Sequence, residues 1–187
     1  MNTTTAIVVI AAIAAIAIIV VFAYSQRNET RKLRGTFGPE YDRVLGQEHA
    51  NKRRTEAVLR KRMRRIQKLD IRKPRPEASN RFAAEWRSVQ ELFVEDPRGA
   101  ILLADALVGE AISACGFPAG NFEQRAADIS VGRPHLVEDY RMARDVAEHN
   151  SHGEASTEDL RKAMQHYRDL LEGILEIHIP KGEEVHR

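Results

Sequence analysis

Residues 6–24 read AIVVIAAIAAIAIIVVFAY, a run of nineteen residues without a charged side chain, an amide, a glycine or a proline. As an α-helix this run would be about 28 Å long, close to the roughly 30 Å thickness of the hydrocarbon core of a bilayer. A chain of this size has no core that could bury such a helix on all sides. The run therefore predicts one transmembrane helix over residues 6–24, preceded by a short tail, residues 1–5.

The charges on either side of the run predict its orientation. No Lys or Arg precedes it, whereas several follow, namely Arg27, Arg31, Lys32, Arg34 and Arg43. Because basic residues that flank a span stay in the cytoplasm, we expect a single-pass protein of the cell membrane whose C-terminal region is cytoplasmic. The alternative is a cleaved signal peptide and a secreted or extracytoplasmic protein. A signal peptide requires a basic N-terminus and a shorter apolar core, and this chain has neither.

Charge is distributed unevenly along the 187 residues. Residues 27–75 carry 17 Lys and Arg against 6 Asp and Glu, a balance of +11, whereas residues 76–187 carry 12 against 21, a balance of −9. The chain is therefore basic next to the predicted span and acidic beyond it. The length after the span suits one compact domain with an extension. The single cysteine, Cys115, excludes an internal disulfide and is typical of a reducing compartment.

The spacing of apolar residues after the span predicts helices and no strand. One apolar face, for example, recurs at i, i+4, i+7 and i+11 and consists of Phe82, Trp86, Val89 and Phe93. Proline, glycine and a capping pattern at Ser156 and Asp159 bound the predicted helices. These helices cover about residues 39–70 with a break near Gly46, 76–95, 97–116, 134–150 and 157–179.

The expected fold is all-α, with a single transmembrane helix, a long basic helix and a small distal helical bundle. Residues 25–70 form the basic juxtamembrane segment, and residues 71–76 form a proline-containing linker. Residues 77–178 form a four-helix domain with an irregular segment at 116–134, which includes a short helix near 122–129. Residues 179–187 are expected to be a flexible tail. Trp86 and Cys115 lie among apolar neighbours and are expected to pack in the core of the domain.

The basic helix is the strongest candidate for a contact surface outside the span. Its candidate lipid- or phosphate-contacting residues are Lys52, Arg53, Arg54, Arg60, Lys61, Arg62, Arg64, Arg65 and Lys68. Basic residues near an anionic leaflet contribute about 1 kcal/mol each. A solvated or self-associating stalk is equally compatible with this pattern. Binding to nucleic acid is the third interpretation, although the aromatic residues of a single-strand binder are missing. Tyr41, earlier on this segment, suits either an interfacial anchor or a packing residue.

One helical face could carry metal ligands. Asp145, His149 and His152 recur at i, i+4 and i+7, and two histidines with a carboxylate form a known catalytic zinc set. Histidines at the end of a helix also interact favourably with its dipole, which is the simpler explanation here. The chain contains no phosphate-binding glycine loop, Gly-x-Ser-x-Gly, Cys-x-x-Cys or His-Glu-x-x-His motif. We therefore expect no catalytic residue, no cofactor and no metal.

Five strings, taken together, resemble a family of bacterial proteins that have one N-terminal hydrophobic segment and a helical domain. They are FGPEYDR at 37–43, KLDIR at 68–72, RFAAEWR at 81–87, NFEQRAAD at 121–128 and GEASTEDLR at 153–161. The likeness spans about residues 33–175 in the same order. Members of this family are often labelled hypothetical or secreted proteins, and the resemblance implies no catalytic residue. The secreted label conflicts with the orientation that the charges predict, and we retain the charge-based orientation.

These observations predict a membrane-anchored, non-enzymatic helical interaction or adaptor module that faces the cytoplasm. Its acidic distal domain would bind a protein partner, while its basic helix lies near lipid or acts as a spacer. Two alternatives belong to other classes. One is a membrane-associated protein that binds nucleic acid through the basic helix, and the other is a metal-dependent enzyme.

Overall fold

The computed structural model describes residues 3–176, and within this range the side chains of residues 3–12, 15, 22, 25 and 26 lie outside the description. The described residues form helices and no strand. The helices are α1 (Thr3–Phe37), α2 (Pro39–Gln47), α3 (Lys52–Ile66), α4 (Pro76–Glu95), α5 (Pro97–Ala114), α6 (Phe122–Ile129), α7 (Pro134–Ser151) and α8 (Thr157–Leu175). The predicted all-α class is confirmed. The tail at 179–187 and the predicted end of the last helix near Pro180 lie outside the described residues.

Among the residues that the structure describes, no helix is both long enough and apolar enough to cross a membrane. The predicted span, residues 6–24, lies within α1, and its side chains at 6–12, 15 and 22 are outside the description. The helix does not end where the apolar run ends, because α1 continues through the first basic residues to Phe37. The predicted tail at residues 1–5 is partly helical, since α1 begins at Thr3.

The chain divides into two compact units, Met1–Leu59 and Arg60–Arg187. In the first unit, α1 and α2 pack against each other. Their junction is Gly38, which adopts a positive φ of 49° that glycine tolerates easily. Leu33, Phe37 and Tyr41 are among the buried side chains of this unit. The division between the units falls within the predicted basic segment 25–70 and not at the predicted linker 71–76.

The long helix predicted over residues 39–70 is interrupted at a different place from the one expected. Gly46 remains helical, and the break lies at residues 48–51, between α2 and α3. His49 and Ala50 adopt positive φ values of 52° and 60°, and the amide of Ala50 donates to the carbonyl of Leu45 at 2.8 Å. A left-handed backbone with such a hydrogen bond terminates a helix. Neither histidine nor alanine is a sequence signal for a helix end of this kind. The helix then ends at Ile66, before the predicted Asp70.

The second unit is a helical bundle around one hydrophobic core. Helix α8 packs on α7 and α5, α4 packs on α5, and the short α6 packs on α7. The predicted face on α4 points inward, with Phe82 and Trp86 fully buried, and Cys115 is buried in the same core. The expected core positions of Trp86 and Cys115 are confirmed. The predicted helix at 122–129 is also confirmed, since it coincides with α6.

Capping and proline signals place the starts of the bundle helices where the sequence predicts them. Helices α4, α5 and α7 begin with a proline at the first helical position, where its missing N–H costs no hydrogen bond. Ser156 and Asp159 form the reciprocal hydrogen bonds of a capping box at the start of α8. The predicted capping pattern is therefore confirmed.

The segment after α3 is tied to the end of α5. The amide of Arg72 donates to the carbonyl of Cys115 at 3.0 Å, and Ile66 and Ile71 pack against the core. Gly116 has a φ of 91°, and a Cβ atom at this position would collide with the backbone carbonyl of Asp70. These contacts explain why the C-terminal part of the basic segment belongs to the bundle.

Candidate functional site

The described side chains of α1 between residues 13 and 24 are apolar and exposed around the circumference of the helix. Every described side chain between residues 13 and 24 is exposed, including Ile13 at 62%, Val21 at 68% and Tyr24 at 74%. The six consecutive residues 16–21 are all exposed, and six residues exceed one helical turn of 3.6 residues. No side of the helix in this stretch is therefore covered by the described part of the chain.

Past the apolar run, the same helix becomes basic and enters a small packed cluster. The guanidinium of Arg34 binds the carboxylate of Asp42 at 3.2 Å and lies 4.9 Å from the centre of the Tyr41 ring. Thr30 donates to the carboxylate of Glu56 at 2.7 Å. Tyr41 is fully buried, and its pKa is raised chiefly by burial and secondly by the charge of Glu56. Of the two roles that the sequence left open, Tyr41 therefore has the packing role.

The predicted lipid- or phosphate-contacting residues differ in how freely they can reach a ligand. Arg60 and Arg62 are half-buried. The other predicted residues are exposed, and they are Lys52, Arg53, Arg54, Lys61, Arg64, Arg65 and Lys68. The basic segment is therefore a mixed surface in which most, but not all, of the cations face solvent.

Arg65 is exposed, but its guanidinium forms an ion pair with a buried carboxylate. Its guanidinium lies 3.3 Å from Oδ2 of Asp128, whose side chain is only 1% exposed. Gln124 donates from Nε2 to Oδ1 of the same carboxylate at 2.9 Å. Burial raises the pKa of Asp128, and Arg65 and Gln124 oppose that rise. No pattern in the sequence predicts this pair, because Arg65 and Asp128 are distant along the chain and Asp128 lies on the short helix α6.

The three metal-ligand candidates come together in one open pocket of about 400 Å³, lined by Asp145, Glu148, His149, His152 and Glu154. One ring nitrogen of each histidine already has a backbone partner. His149 donates from Nδ1 to the carbonyl of Asp145 at 2.8 Å, and His152 donates from Nδ1 to the carbonyl of Glu148 at 2.9 Å. Within the described residues, no three His, Cys, Asp or Glu side chains are placed to hold a metal ion. The backbone carbonyl and then the charge of Asp145 raise the pKa of His149.

Cys115 is a packing residue with a protonated thiol. Its Sγ donates to the carbonyl of Ile174 at 3.6 Å, and burial raises its pKa to about 11. A thiol with this pKa is almost entirely un-ionised at neutral pH and is a poor nucleophile.

A partly buried polar cluster that the sequence did not reveal lies between α5, α7 and α8. The hydroxyl of Tyr167 donates to Oδ1 of Asp105 at 3.0 Å, and Arg144 donates to Oδ2 at 2.7 Å. Burial and the adjacent Asp105 raise the pKa of Tyr167, so the hydroxyl remains a donor. The hydroxyl of Tyr167 and the guanidinium of Arg144 thus bind the two oxygens of one carboxylate.

No protein family, curated protein or solved structure with which the chain was compared matches it.

Proposed function

We propose that the protein is a membrane-anchored, non-enzymatic interaction or adaptor module whose helical bundle faces the cytoplasm. The observation that carries this proposal is the uncovered apolar surface of α1 between residues 13 and 24. A soluble protein rarely exposes a continuous apolar surface of this extent, and such a surface indicates a contact with lipid or with another protein. Lipid is favoured here because the described exposed side chains surround the helix and belong to the nineteen-residue apolar run.

The free energy of insertion supports the proposal. The run contains eleven Ile, Val and Phe residues, and each contributes roughly −0.3 to −0.6 kcal/mol on the insertion scale. Together they contribute about −3 to −7 kcal/mol. One Arg near the centre of the helix costs about 2.5–3.5 kcal/mol, so two would cancel the whole contribution.

A double substitution tests the anchor. We expect Ile13→Arg with Ile16→Arg to remove the protein from membranes that float in a density gradient after alkaline extraction. The matched control is Leu102→Arg with Leu103→Arg, because these two side chains are also apolar, adjacent and exposed, at 57% and 51%, but lie on α5. The control protein should float as the wild type does. Flotation of both variants, or of neither, would contradict the proposed anchor.

The exposed part of the basic segment is the proposed contact with anionic lipid. Residues that follow a span are held near the leaflet surface, where each Lys or Arg contributes about 1 kcal/mol. Lys52, Lys61 and Lys68 are exposed and supply three of these cations. Arg65 is excluded from this role because it binds Asp128.

Lysine acetylation of the full chain in nanodiscs tests the lipid contact. We expect slower acetylation of Lys52, Lys61 and Lys68 in anionic than in zwitterionic nanodiscs, with the difference shrinking as salt is added. The internal control is Lys162 on α8, which is exposed and lies in the acidic part of the chain. Equal rates in the two lipids at all three lysines would assign the segment to a solvated spacer.

Residues 76–187, the acidic part of the chain beyond the basic segment, are the proposed partner-binding part of the module. Residues 76–187 carry a balance of −9, whereas the segment nearer the anchor is basic. A region with a net negative charge favours the approach of positively charged partners. The opposed charges of the two regions would leave residues 76–187 available for a basic protein while the exposed lysines of the basic segment remain near anionic lipid.

A further inference from the structure

After Gly38 the chain runs back along α1, toward the apolar run. Arg34 on α1 pairs with Asp42 on α2 at 3.2 Å, and α1 and α2 pack against each other. Further along the chain, Glu56 on α3 accepts a hydrogen bond from Thr30 on α1 at 2.7 Å. Residues that come later in the chain thus meet positions of α1 that come earlier. The turn between α2 and α3 therefore lies on the side of the first compact unit that is nearer to the run.

Thr30 marks the edge of the packed part of this unit. The described side chains at 13–24 and 27–29 are exposed, whereas Thr30 is half-buried and Leu33 and Phe37 are buried. Packing on α1 therefore begins at Thr30, where the start of α3 contacts it. The edge that is nearer to the apolar run includes this contact.

Distances along α1 bring this edge to the surface of a bilayer. Thr30 is six residues beyond Tyr24, the last residue of the run, and six residues of helix are about 9 Å long. The headgroup layer on each side of the hydrocarbon core is about 5–8 Å thick. The basic residues 52–54 precede Glu56 by two to four residues, or about 3–6 Å of helix. Their side chains therefore lie within about one Debye length, roughly 8–10 Å, of the headgroups.

We propose that the α2–α3 corner, residues 48–54, contacts the membrane surface and that Lys52, Arg53 and Arg54 bind the phosphate groups of anionic lipid. This inference rests on the proposed anchor, and it identifies the part of the basic segment that meets the headgroups. The three side chains are exposed, and none of them has an ion pair or hydrogen bond within the described part of the chain. Lipid is favoured over nucleic acid because the corner lies beside the anchor.

The start of α3 is unusual in its charge. Its first turn carries three cations and no acidic residue. The positive end of the helix dipole repels cations at this place, whereas it attracts anions. A phosphate at the corner would interact favourably with the three cations and with the helix N-terminus. The charge of this turn therefore supports an anionic contact.

A fluorophore on Ala50→Cys tests the position of the corner, with the full chain in nanodiscs whose lipids carry a nitroxide on the headgroup. Ala50 is exposed, and Cys115 should not be labelled because it is buried and its pKa is raised to about 11. We expect the nitroxide to quench the label on Ala50→Cys severalfold more than a label on Gly35→Cys. Gly35 is a suitable control, because it lies about 16 Å beyond the run and a Cβ atom there meets nothing.

A third label, on Tyr24→Cys, separates failure of this inference from failure of the anchor. Tyr24 is the last residue of the apolar run, so its label should be quenched wherever the corner lies. Quenching at Tyr24 with equal, weak quenching at Ala50 and Gly35 would overturn the corner contact alone. No quenching at Tyr24 would overturn the anchor and the corner contact together.

Recognition of anionic lipid is tested with the same label on Ala50→Cys and two quenchers, spin-labelled phosphatidylserine and spin-labelled phosphatidylcholine. We expect phosphatidylserine to quench severalfold more strongly at low salt, with the ratio falling toward one as salt is added. Replacing Lys52, Arg53 and Arg54 together with glutamine should also lower the ratio toward one. Equal quenching by the two lipids, with salt-dependent retention of an RNA oligonucleotide, would assign the corner to nucleic acid instead.

The control for this triple variant removes the same charge from the second compact unit. It consists of three exposed cations replaced with glutamine, namely Arg75, Arg87 and Lys162. The control should keep the preference for phosphatidylserine. An unchanged ratio in the variant of residues 52–54, or an equal loss in the control, would overturn the assignment of the lipid contact to the corner.

Discussion

The ion pair between Arg65 and Asp128 gives the sharpest stability prediction. We expect Arg65→Gln to lower the free energy of unfolding of the bundle by about 1–2 kcal/mol at pH 7. Breaking a fully buried pair costs about 3–5 kcal/mol, whereas a surface pair contributes about 0–1 kcal/mol. The Asp128 side chain is 1% exposed, but that of Arg65 is 42% exposed. Water therefore replaces part of the lost interaction, and the expected value lies between the two limits.

Urea unfolding of the full chain in mild detergent measures this loss. Trp86 is the only tryptophan and is buried in the bundle core, so its fluorescence reports on unfolding of the bundle. Arg87→Gln is the control, since it removes an exposed arginine of the same bundle. In an Asp128→Asn background, Arg65→Gln should hardly change the free energy of unfolding, because no buried charge then loses its partner.

The loss of stability in Arg65→Gln should depend on pH, and the raised pKa of Asp128 determines the direction of that dependence. The folded-state pKa of Asp128 is raised above its ordinary value by burial. Protonation therefore favours the folded state, and the stability that this provides is lost as pH rises through the folded pKa. Removal of Arg65 raises the pKa of Asp128 further. The difference in the free energy of unfolding between the wild type and Arg65→Gln should therefore become smaller as pH falls through the folded-state pKa of Asp128. A deficit that is the same at acidic and neutral pH would refute the electrostatic explanation and indicate lost packing of the arginine stem.

Three further results are expected. Tyr167→Phe removes a hydrogen bond to Asp105 and should destabilise the bundle by about 1–2 kcal/mol in the same urea assay; an unchanged midpoint would contradict the contact. Gly116→Ala should destabilise the bundle by clearly more than Gly132→Ala. Both positions have a positive φ, but only a Cβ atom at Gly116 would also collide with the backbone. An equal loss of stability in the two variants would show that the collision is relieved. Cys115, with its pKa raised to about 11 by burial, should react with a thiol reagent at pH 7 far more slowly in the folded protein than in urea, and equal rates would contradict its burial.

Local patterns in the sequence predicted the helices of the bundle well. The i, i+4 spacing that includes Phe82 and Trp86 indicates a helix whichever helices surround it, and it also identifies the side that is buried. Ser156 and Asp159 are three residues apart, so their capping box is visible in the sequence. Helix starts and core faces of this kind depend on neighbours along the chain.

Features that depend on the tertiary structure were not predictable. Asp105 and Tyr167 are 62 residues apart, and only the packing of α5 on α8 brings them together. Arg65 belongs to a run of similar basic residues, and nothing in that run distinguishes the one that meets a buried carboxylate. The guanidinium of Arg125 on α6 likewise lies close to Gly109 on α5, and no local pattern indicates this approach. The helix break at residues 48–51 was misplaced because the glycine was a stronger sequence signal than His49 and Ala50.

The most direct test of the proposed anchor and its orientation is the accessibility of a tag fused after Arg187 in intact cells. We expect that an impermeant reagent or protease does not reach the tag until the membrane is opened, and that the tag remains with the membrane fraction throughout. A tag that is reached in intact cells, or released into the medium, would contradict the cytoplasmic orientation and with it the proposed contact with the inner leaflet.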